Sequence, residues 1–539
     1  MDHARDADVV VVGAGPGGLA AAAYLAVCGR RVALVDARDV PGGHQSAFRR
    51  GDHQFEIGLH YVTPEPLRRL LAPLGIPVRF TDFDPDALFT LHLPDMTVRV
   101  PLGFAAARDR LAAAFPAERS VVDAFLGTVQ TLDREMRLVR DEPRDRDLLR
   151  RPGQLRHLAR YGGSTLGGFL GALGASPRLR SVLSWNDGVF AVPPSRLSLL
   201  GYAWVTAGYL AGGVSYPAGG SARISAELAG VVRRHGGEVL LGTEVSRIVV
   251  AGGRVRGVAV RPVAAGGPGE LILAPAVVAA GDLKRTFLEL LAPGTVPPRV
   301  LRRVRRLEMA LPLAVVHLAL DRDLRAEGFP TTNPIVFPDD DGEAAYAAAR
   351  AGTLAAGPVE HVWLGSLADP GNRALCPPGQ TLLELITVAP ADRACWGAVP
   401  GAGPATRYAD RKGEVRNQLL ALADRAVPGI AASVVYADTA TPVTDEERMR
   451  CTGGTSYGVA VTPRQAMLRP GPVGPVPGLF LAGASTRTMH GLVGGLTGGV
   501  AAAAAVLGHP TGRLRGPLAH QPPPDELVRA HGGTGVPVG

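Results

Sequence analysis

The chain has 539 residues, of which 46% are hydrophobic and 20% are charged. This composition excludes a disordered chain and indicates a folded protein with a large interior, whose length suits two interleaved domains. The formal net charge of +8 rests almost entirely on arginine. Because no basic stripe with interleaved aromatic residues stands out, nucleic-acid binding is not expected. Arginine-rich stretches at residues 150–160 and 302–306 are compatible with an anionic membrane surface, although a solvated face is favoured.

Cysteine spacing and the N-terminus indicate the cellular compartment. The polar first residues lead directly into an apolar strand, so no signal peptide is expected. Residues 491–508 are apolar enough to resemble a membrane span, but their many glycines favour a buried helix that faces a cofactor. The four cysteines form neither close pairs nor a metal-ligand spacing, which predicts no metal site and favours a reducing cytoplasm. They are Cys28, Cys376, Cys395 and Cys451.

The first predicted elements are a strand, a glycine turn, a helix and a second strand within residues 8–36. The second strand ends on an acid, which is the arrangement of a βαβ dinucleotide site. The glycines allow a tight turn, close approach of the backbone to a pyrophosphate and close packing of helix on strand. The acid accepts hydrogen bonds from a ribose diol. The residues predicted for these roles are, in order, Gly13, Gly15, Gly18 and Asp36.

A second glycine turn and the motif FEIGLHY at residues 55–61 follow. Together with the βαβ unit they resemble the FAD-binding amine oxidase and phytoene desaturase superfamily. Its members carry a double-glycine turn after the acid and an F-[DE]-x-G segment beside the flavin. The resemblance implies FAD as the cofactor and adds Gly42, Gly43, Gly58 and Leu59 to its contacts. The chain departs from the family at His44, where many members have an arginine near the phosphates.

The middle of the chain alternates between the two expected domains. Residues 82–100 predict strands of a substrate-side sheet, and residues 333–356 predict a loop-rich, solvent-exposed insertion. Residues 216–282 predict a helix, a β-hairpin and a further strand. In that order they resemble the second FAD-domain segment of the family, in which the backbone around Val245 meets the adenine.

The C-terminal third predicts a strand that ends at Gly483 and a helix that begins at Gly491. In the family this strand and helix complete the FAD site, and the resemblance adds Gly483, Val493 and Gly494 to the cofactor contacts. The helix start would stabilise the anionic reduced flavin through its dipole. Many relatives have an acid after the strand glycine, whereas this chain has Ala484 and Ser485.

The predicted fold class is α/β, with a Rossmann-like FAD-binding domain interleaved with a substrate domain of mixed sheet plus helices. The predicted FAD-binding domain is discontinuous and comprises residues 1–100, 215–300 and 440–508. Residues 101–214 and 301–439 are assigned to the substrate or cap domain. Residues 509–539 are rich in proline and glycine and predict a flexible tail.

The motifs GLHY, YPAGG, GGTSYG and the glycine-rich helix start make the resemblance closest to the phytoene desaturase, carotenoid isomerase and retinol saturase branch. It implies an FAD-dependent oxidoreductase that forms or reduces a carbon–carbon double bond in an apolar polyene, isoprenoid or retinoid by hydride transfer with flavin N5. His60 and Tyr61 are the candidate catalytic groups, and a structural role for His60 is equally compatible. His490 is a weaker candidate. Trp185, Asn186 and Asp187 are candidates for the substrate side.

Two alternatives stay open. One is an amine or amino-acid oxidase of the same fold, which an aromatic cage opposite the flavin would support, although aromatic residues are 5% of the chain. The other is a non-catalytic prenyl-binding escort protein, against which the intact glycines and Asp36 count. NAD(P)H is a possible transient electron donor, and a peripheral membrane contact is compatible with the sequence. The substrate, the direction of hydrogen transfer and the oligomeric state are not determined by it.

Overall fold

The βαβ unit expected at the start of the chain is present in the computed structural model, at the centre of a parallel sheet. The structure describes residues 5–58, 60–141, 152–264, 269–354, 360–363, 365–398 and 405–509. The predicted cofactor contact Leu59 and all but the first residue of the predicted tail lie outside these ranges.

The strands are short, and most contain valine, isoleucine or leucine, which favour pleated and buried surfaces. In chain order they are β1 (Arg5–Asp6), β2 (Val9–Val12), β3 (Val32–Val35), β4 (Ala47–Arg50), β5 (His53–Glu56), β6 (Phe80–Asp82), β7 (Phe89–His92), β8 (Thr97–Val100), β9 (Ser215–Pro217), β10 (Glu238–Leu240), β11 (Thr243–Ala251), β12 (Arg254–Pro262), β13 (Glu270–Leu273), β14 (Ala276–Ala279), β15 (Leu313–Leu320), β16 (Asn333–Val336), β17 (Glu360–Trp363), β18 (Thr381–Val388), β19 (Val434–Ala440) and β20 (Leu479–Leu481).

The helices often begin with proline in the first turn, where its missing N–H costs nothing. In chain order they are α1 (Pro16–Val27), α2 (Pro64–Leu71), α3 (Phe104–Ala114), α4 (Arg119–Asp141), α5 (Arg156–Tyr161), α6 (Leu166–Ala172), α7 (Pro177–Leu183), α8 (Leu199–Gly212), α9 (Gly220–Arg234), α10 (Leu283–Arg285), α11 (Pro298–Arg305), α12 (Ala344–Arg350), α13 (Gly365–Ala368), α14 (Ala405–Ala423), α15 (Pro442–Met449), α16 (Pro463–Leu468) and α17 (Gly491–Val506). Short 3₁₀ turns lie at Ala72–Leu74, Pro116–Glu118, Pro152–Leu155, Asp187–Val189, Arg393–Trp396, Ile430–Ser433 and Thr452–Gly454, and a π turn at Thr286–Leu290.

The predicted nucleotide-binding region is built on a five-stranded sheet with the order β10-β3-β2-β14-β20, in which every neighbouring pair is parallel. The valines, leucine and alanine of β2 and β3 are almost all buried, as in parallel strands that are covered on both faces. The carboxyl ends of these strands share one edge of the sheet. In open α/β sheets that edge is where ligands bind.

A second layer covers one face of this parallel sheet. It is a four-stranded sheet with the order β1-β13-β12-β11, in which β11 and β12 form the predicted antiparallel hairpin. Buried side chains of the hairpin, including Val245 and Val258, belong to the same apolar cluster as Val10 and Val277 of the parallel sheet. The packing brings the start of β11 close to the end of β3.

The predicted substrate side contains a seven-stranded sheet with the order β19-β15-β18-β17-β16-β7-β8. The prediction that residues 333–356 form a loop-rich, solvent-exposed insertion is wrong for β16 and α12, and residues 355–356 lie outside the described ranges. Strand β16 is buried in this sheet, and α12 buries Tyr346. Four residues are too few to show the period of a strand, so pairing of β16 with the distant β7 decides its structure.

The predicted division into domains stays a prediction, although the strand pairing bears on its first boundary. Strands β7 and β8, which fall inside the range 1–100 assigned to the FAD-binding domain, pair within the seven-stranded sheet. Strand β6 pairs with β9, and both strands lie within the ranges assigned to the FAD-binding domain.

None of the helices in the described ranges is both long enough and apolar enough to cross a bilayer.

Candidate functional site

The first glycine turn joins β2 to α1. Gly13 has a φ of +100°, and a Cβ at this position would lie 3.2 Å from the backbone nitrogen of Gly281. A Cβ on Gly18 would overlap the carbonyl oxygen of Gly13, so the helix packs on the turn without a side chain between them. Gly15 differs, because no heavy atom lies within 4 Å of its Cβ position. Gly13 and Gly18 are therefore packed against other parts of the backbone, whereas the space beside Gly15 is open. This leaves room for a pyrophosphate against the backbone of the turn.

Asp36 follows directly after β3 and is held by backbone donors. Its Oδ2 accepts a hydrogen bond of 2.6 Å from the Ala14 N–H, and its Oδ1 accepts one of 2.8 Å from the Arg38 N–H. These bonds fix the carboxylate beside the glycine turn. The Arg38 guanidinium donates to the Gly43 carbonyl at 2.8 Å and to Ser46 Oγ at 2.9 Å. Sequence reasoning missed Arg38, although its position two residues after the acid was a usable signal.

The second glycine turn lies directly against the first. The Gly42 N–H donates to the Ala14 carbonyl at 2.7 Å, and a Cβ on Gly43 would lie 3.3 Å from the Cα of Gly15. His44 follows, with its Nε2 3.9 Å from Asp445 Oδ2. Burial lowers the pKa of His44, so the ring is neutral near pH 7 and does not replace the charge of an arginine.

Two other predicted contacts reach the same place from distant parts of the chain. The Thr243 N–H donates to the Asp36 carbonyl at 2.9 Å, which places the buried Val245 of β11 beside the end of β3. Gly483 follows β20 with a φ of +91°. A Cβ on Gly17 would lie 2.7 Å from the Gly483 nitrogen. The ends of β3 and β20 therefore meet at the start of α1.

Helix α17 begins close to this point and carries Val493 and Gly494 in its first turn. A Cβ on Gly494 would lie 2.8 Å from the Thr488 carbonyl oxygen. Neither α1 nor α17 has a capping side chain or an acidic residue in its first turn. Helix starts carry backbone N–H groups without helical partners, and these favour anions. With the open Gly15 and the acceptor Asp36, the residues present fit FAD.

A cavity of 1170 Å³ lies next to these residues. Its largely apolar walls come from α2, α4, α8, α16 and the start of α17, together with residues of β15 and β18. Pockets for one small ligand measure roughly 300–1,000 Å³, so the cavity has room for a flavin ring and an extended substrate. Six predicted site residues line it together: Gly58, His60, Tyr61, His490, Val493 and Gly494.

The run that contains these residues is less regular than a strand. Strand β5 ends at Glu56, so Gly58, His60 and Tyr61 follow in irregular backbone. Glu56 is buried and accepts hydrogen bonds from the Ser221 hydroxyl and, at 3.3 Å, from the Ser221 N–H. Burial raises the pKa of Glu56 to about 7. The acid of the F-[DE]-x-G motif therefore links β5 to the start of α9 and does not line the cavity.

His60 is tied to a carboxylate that sequence reasoning missed. Its Nε2 lies 3.1 Å from Glu384 Oε2, and the other oxygen of Glu384 lies 3.1 Å from Nδ1 of His317. Glu384 lies on β18 and His317 on β15, within apolar strands where one polar residue gives little warning of a site. Only the pairing of these strands brings both side chains to His60.

Tyr61 stands within a group of aromatic side chains. Its ring lies 5.3 Å from the ring of Tyr209 and 5.6 Å from that of Phe89, both edge-to-face. Its hydroxyl lies 3.5 Å from Oδ1 of Asn186, which is a weak hydrogen bond. Burial raises the pKa of Tyr61, so the phenol is neutral at all working pH values.

The residues predicted for the substrate side lie behind the cavity wall. Trp185, Asn186 and Asp187 are buried, whereas the segment lines the cavity through Gly188 and Val189. Asp187 is desolvated and hydrogen-bonded to Tyr346, and burial raises its pKa. The buried side chains of Trp185, Asn186 and Asp187 therefore contribute to packing behind the cavity wall.

His490 lines the cavity directly before α17, and its ring centre lies 4.7 Å from that of Tyr457. Burial, together with repulsion from Arg469, lowers the pKa of His490 to about 3. Sequence reasoning missed Arg469. Its buried guanidinium donates to the carbonyls of Val459, Ala484 and Thr486. It thus brings a positive charge to the Ala484–Ser485 position, where many relatives have an acid.

Comparison with known proteins identifies the family. The family described as flavin containing amine oxidoreductase matches residues 16–507. The chain belongs to this family. It is 27% identical to all-trans-retinol 13,14-reductase of Macaca fascicularis, over 93% of this chain and 85% of that protein. It is 29% identical to phytoene dehydrogenase of Streptomyces griseus, over 87% of this chain and 88% of that protein.

A solved structure has the same fold. A single-site mutant of putrescine oxidase superposes on this flavoprotein with a TM-score of 0.64 at 18% identity, covering 94% of this chain and all of that one. This likeness shows the fold. Together, the structural likeness and the family match over residues 16–507 confirm the predicted α/β flavoprotein fold, and the family match with the sequence relatives confirms the predicted FAD-dependent oxidoreductase. The enzyme is therefore favoured over the escort protein.

Proposed function

We propose that this flavoprotein forms or reduces a carbon–carbon double bond in an extended apolar substrate of the polyene, isoprenoid or retinoid class. The observation that carries the proposal is the large apolar cavity that begins at the predicted flavin-side residues Gly58, Val493 and Gly494. The activities for which the similar retinol reductase and phytoene dehydrogenase are named support this substrate class. A dry slot that holds one carbon against a fixed cofactor supplies most of what such a reaction needs.

In this proposal Asp36, Gly13, Gly15 and Gly18 hold the dinucleotide half of FAD, and the second glycine turn supports the pyrophosphate. Val245 lies by the adenine, and Gly483, Val493 and Gly494 by the ribityl chain and the flavin. When bound, the flavin supplies or accepts a hydride at N5. The chain orients the substrate, excludes water through the apolar walls, and provides His60 and Tyr61 as polar groups beside the reacting carbons. NAD(P)H is the proposed external donor if the enzyme works as a reductase.

We further propose that the cavity opens toward a membrane surface at α16. Pro463, Ala466 and Met467 of this helix line the cavity, while Met467 is 72% exposed and the neighbouring Leu468 is 44% exposed. An exposed apolar pair at an entrance suits delivery of a substrate with little solubility in water.

Replacement of both residues by glutamate is expected to abolish cosedimentation with anionic phospholipid vesicles. Val435→Glu is the control, because Val435 is also exposed but lies on β19. Equal vesicle binding by all three proteins would refute this contact.

The experiment that tests the reaction is the visible spectrum of the anaerobic protein. A flavin band that NADPH bleaches and all-trans-retinol restores would support a saturase or reductase. Bleaching by phytoene without NADPH would support a desaturase. A protein that binds FAD but whose spectrum responds to neither polyene, in either oxidation state, would refute the proposed substrate class.

The amine oxidase of the same fold is the second candidate, because the structure gathers aromatic rings where the composition did not lead us to expect them. Tyr61, Tyr209 and Tyr457 all line the cavity, which is the kind of surface that attracts a cationic amine. Bleaching of the anaerobic flavin by putrescine or benzylamine, with no response to polyenes, would favour this candidate.

A further inference from the structure

Three side chains form a row beside the cavity: His60, Glu384 and His317. His317 on β15 and Glu384 on β18 are directly opposite each other in an antiparallel pair, and directly opposite side chains share one face of a sheet. Glu384 has one histidine nitrogen at 3.1 Å from each of its two carboxylate oxygens. The row runs from the core to the cavity, because side-chain exposure rises from 1% at Glu384 and 4% at His317 to 20% at His60.

The surroundings hold the far end of this row in place. The ring of His317 packs edge-to-face on Phe48 at 5.0 Å and against Phe55 at 5.4 Å. A buried carboxylate is costly unless it is paired. Burial by itself favours the neutral acid, but the two histidines outweigh it and lower the pKa of Glu384 to about 2. Glu384 is therefore a fixed negative charge at any pH at which the enzyme works.

The proposed reaction requires a side chain that donates or accepts a proton. Reduction of one carbon–carbon double bond adds a hydride to one carbon and a proton to the other, and the π electron pair forms the bond to that proton. The reduced flavin gives up the hydride and is oxidised by two electrons. Desaturation runs these transfers in reverse and releases one proton. In an apolar cavity the proton needs a side chain that donates or accepts it.

We propose that Glu384 and His317 are positioning residues for His60. Glu384 fixes the orientation of the His60 ring and stabilises the charge of its protonated form, while His317 fixes Glu384. His60 then exchanges the substrate proton at the cavity wall. A carboxylate that orients a histidine without itself becoming protonated has this effect in other enzymes. The role of His60 in proton exchange rests on the proposed function. The positioning of His60 by Glu384 and His317 rests on the contacts between these three side chains.

Other titratable groups near the row set the electrostatic background. Burial raises the pKa of Glu56, and the negative charge of Glu384 adds to this effect. Asp438 on β19 is directly opposite His317 and pairs with Lys412 at 3.1 Å. Asp445 is attracted to both His44 and His317. Because these groups also contribute to the electrostatic environment, a change in the pH dependence of the rate after substitution of Glu384 is assigned to His60 only by comparison with a matched control variant.

The test compares Glu384→Gln with the wild-type holoenzyme. Glutamine keeps the shape and one acceptor but loses the charge. With flavin reduced anaerobically by dithionite and all-trans-retinol as the probe, we expect flavin reoxidation to slow by about 100-fold or more, within the range of general acid–base catalysis. Because His60 must be protonated to donate the proton, the high-pH limb of the rate profile is expected to move to lower pH, and the solvent deuterium isotope effect to increase. His317→Phe is expected to give a smaller loss with the same change in profile.

Glu135→Gln is the matched control, because Glu135 is buried and lies 3.0 Å from His157 Nδ1 but does not line the cavity. We expect its rate, profile and isotope effect to equal those of the wild type. If Glu384→Gln retains FAD and has the wild-type rate and profile, the inference is overturned. A rate loss equal at every pH, without a larger isotope effect, would show a merely structural role and would also overturn it.

A measurement that does not depend on turnover tests the hydrogen bonds of the row separately from the proposed reaction. In proton NMR of the holoenzyme, hydrogen-bonded imidazole N–H groups give downfield resonances. We expect Glu384→Gln to remove or shift two of them and Glu135→Gln to leave those two unchanged. If no polyene reacts with the wild type, the proposed function is refuted. The resonances would still show whether Glu384 is hydrogen-bonded to His60 and His317. If they do not respond to Glu384→Gln, the row itself is refuted.

Discussion

The contact between α1 and α17 gives the sharpest structural prediction, through Gly499→Ala. A Cβ on Gly499 would overlap the Gly17 carbonyl oxygen and lie 2.7 Å from Ala20 Cβ and 2.8 Å from the Ala21 nitrogen. Two of these three neighbours are backbone atoms, so no side-chain rotation relieves the overlap. The two helices must therefore move apart, and this movement also displaces Gly483 and the first glycine turn.

The magnitude follows from two opposing effects. Overpacking of a tight contact costs about 1–3 kcal/mol, and overlap with backbone belongs at the upper end. Alanine is favoured over glycine inside a helix by about 1 kcal/mol. The expected net loss is about 2 kcal/mol, which corresponds to a melting temperature about 2 °C lower for a chain of this length. The same substitution at Gly127 in α4 has no heavy atom within 4 Å of the new Cβ, so it is expected to be neutral or stabilising by up to about 1 kcal/mol.

The assay is thermal unfolding by circular dichroism, with FAD content measured on the same samples. Gly499→Ala is expected to melt earlier and to copurify with less FAD, and Gly127→Ala to match the wild type in FAD content. If Gly499→Ala melts at or above the wild-type temperature and retains its FAD, the argument from the helix contact is refuted.

Three further predictions address the cofactor, the buried acid and the cavity. Asp36→Ala removes acceptors for Ala14 and Arg38 and is expected to weaken FAD binding by about 10- to 100-fold, since hydrogen bonds to charged groups contribute about 1.5–3 kcal/mol; equal affinity in a fluorescence titration would contradict this role. Glu56 has a pKa raised by burial from 4.5 to about 7, so its contribution to stability is fully present below pH 4.5 and is lost as the pH rises to 7. The loss is on the order of 3 kcal/mol. The stability of Glu56→Gln relative to the wild type should therefore increase from pH 5 to pH 8, and parallel melting curves at both pH values would be evidence against it. Gly208 lines the cavity, and its Cβ position has a single neighbour at 3.9 Å; Gly208→Leu is expected to block the polyene reaction without loss of FAD, with Gly127→Leu as the control. A normal polyene reaction in Gly208→Leu would place the substrate elsewhere.

Much of the fold was predictable because its signals are local. The β2–α1–β3 unit is contiguous, its strands are buried on both faces and therefore read as unbroken apolar runs, and its glycines are required by φ values and close contacts. The hairpin β11–β12 and helix α17 were predicted for the same reason. Strand β16 was missed, because four residues that begin with asparagine and proline carry no period, and their burial comes from pairing with β7.

The sequence by itself therefore determined the family, the cofactor and the residues that surround the glycine turns, since each of these depends on residues adjacent in the chain. The tertiary structure alone decided what surrounds the cavity. Glu384 and His317 reach His60 because antiparallel pairing sets them side by side, and Arg469 reaches Ala484 and Thr486 through a loop before β20. A single charged or polar residue within an apolar strand has no periodic signature. Its role appears when the register of the sheet fixes its neighbours.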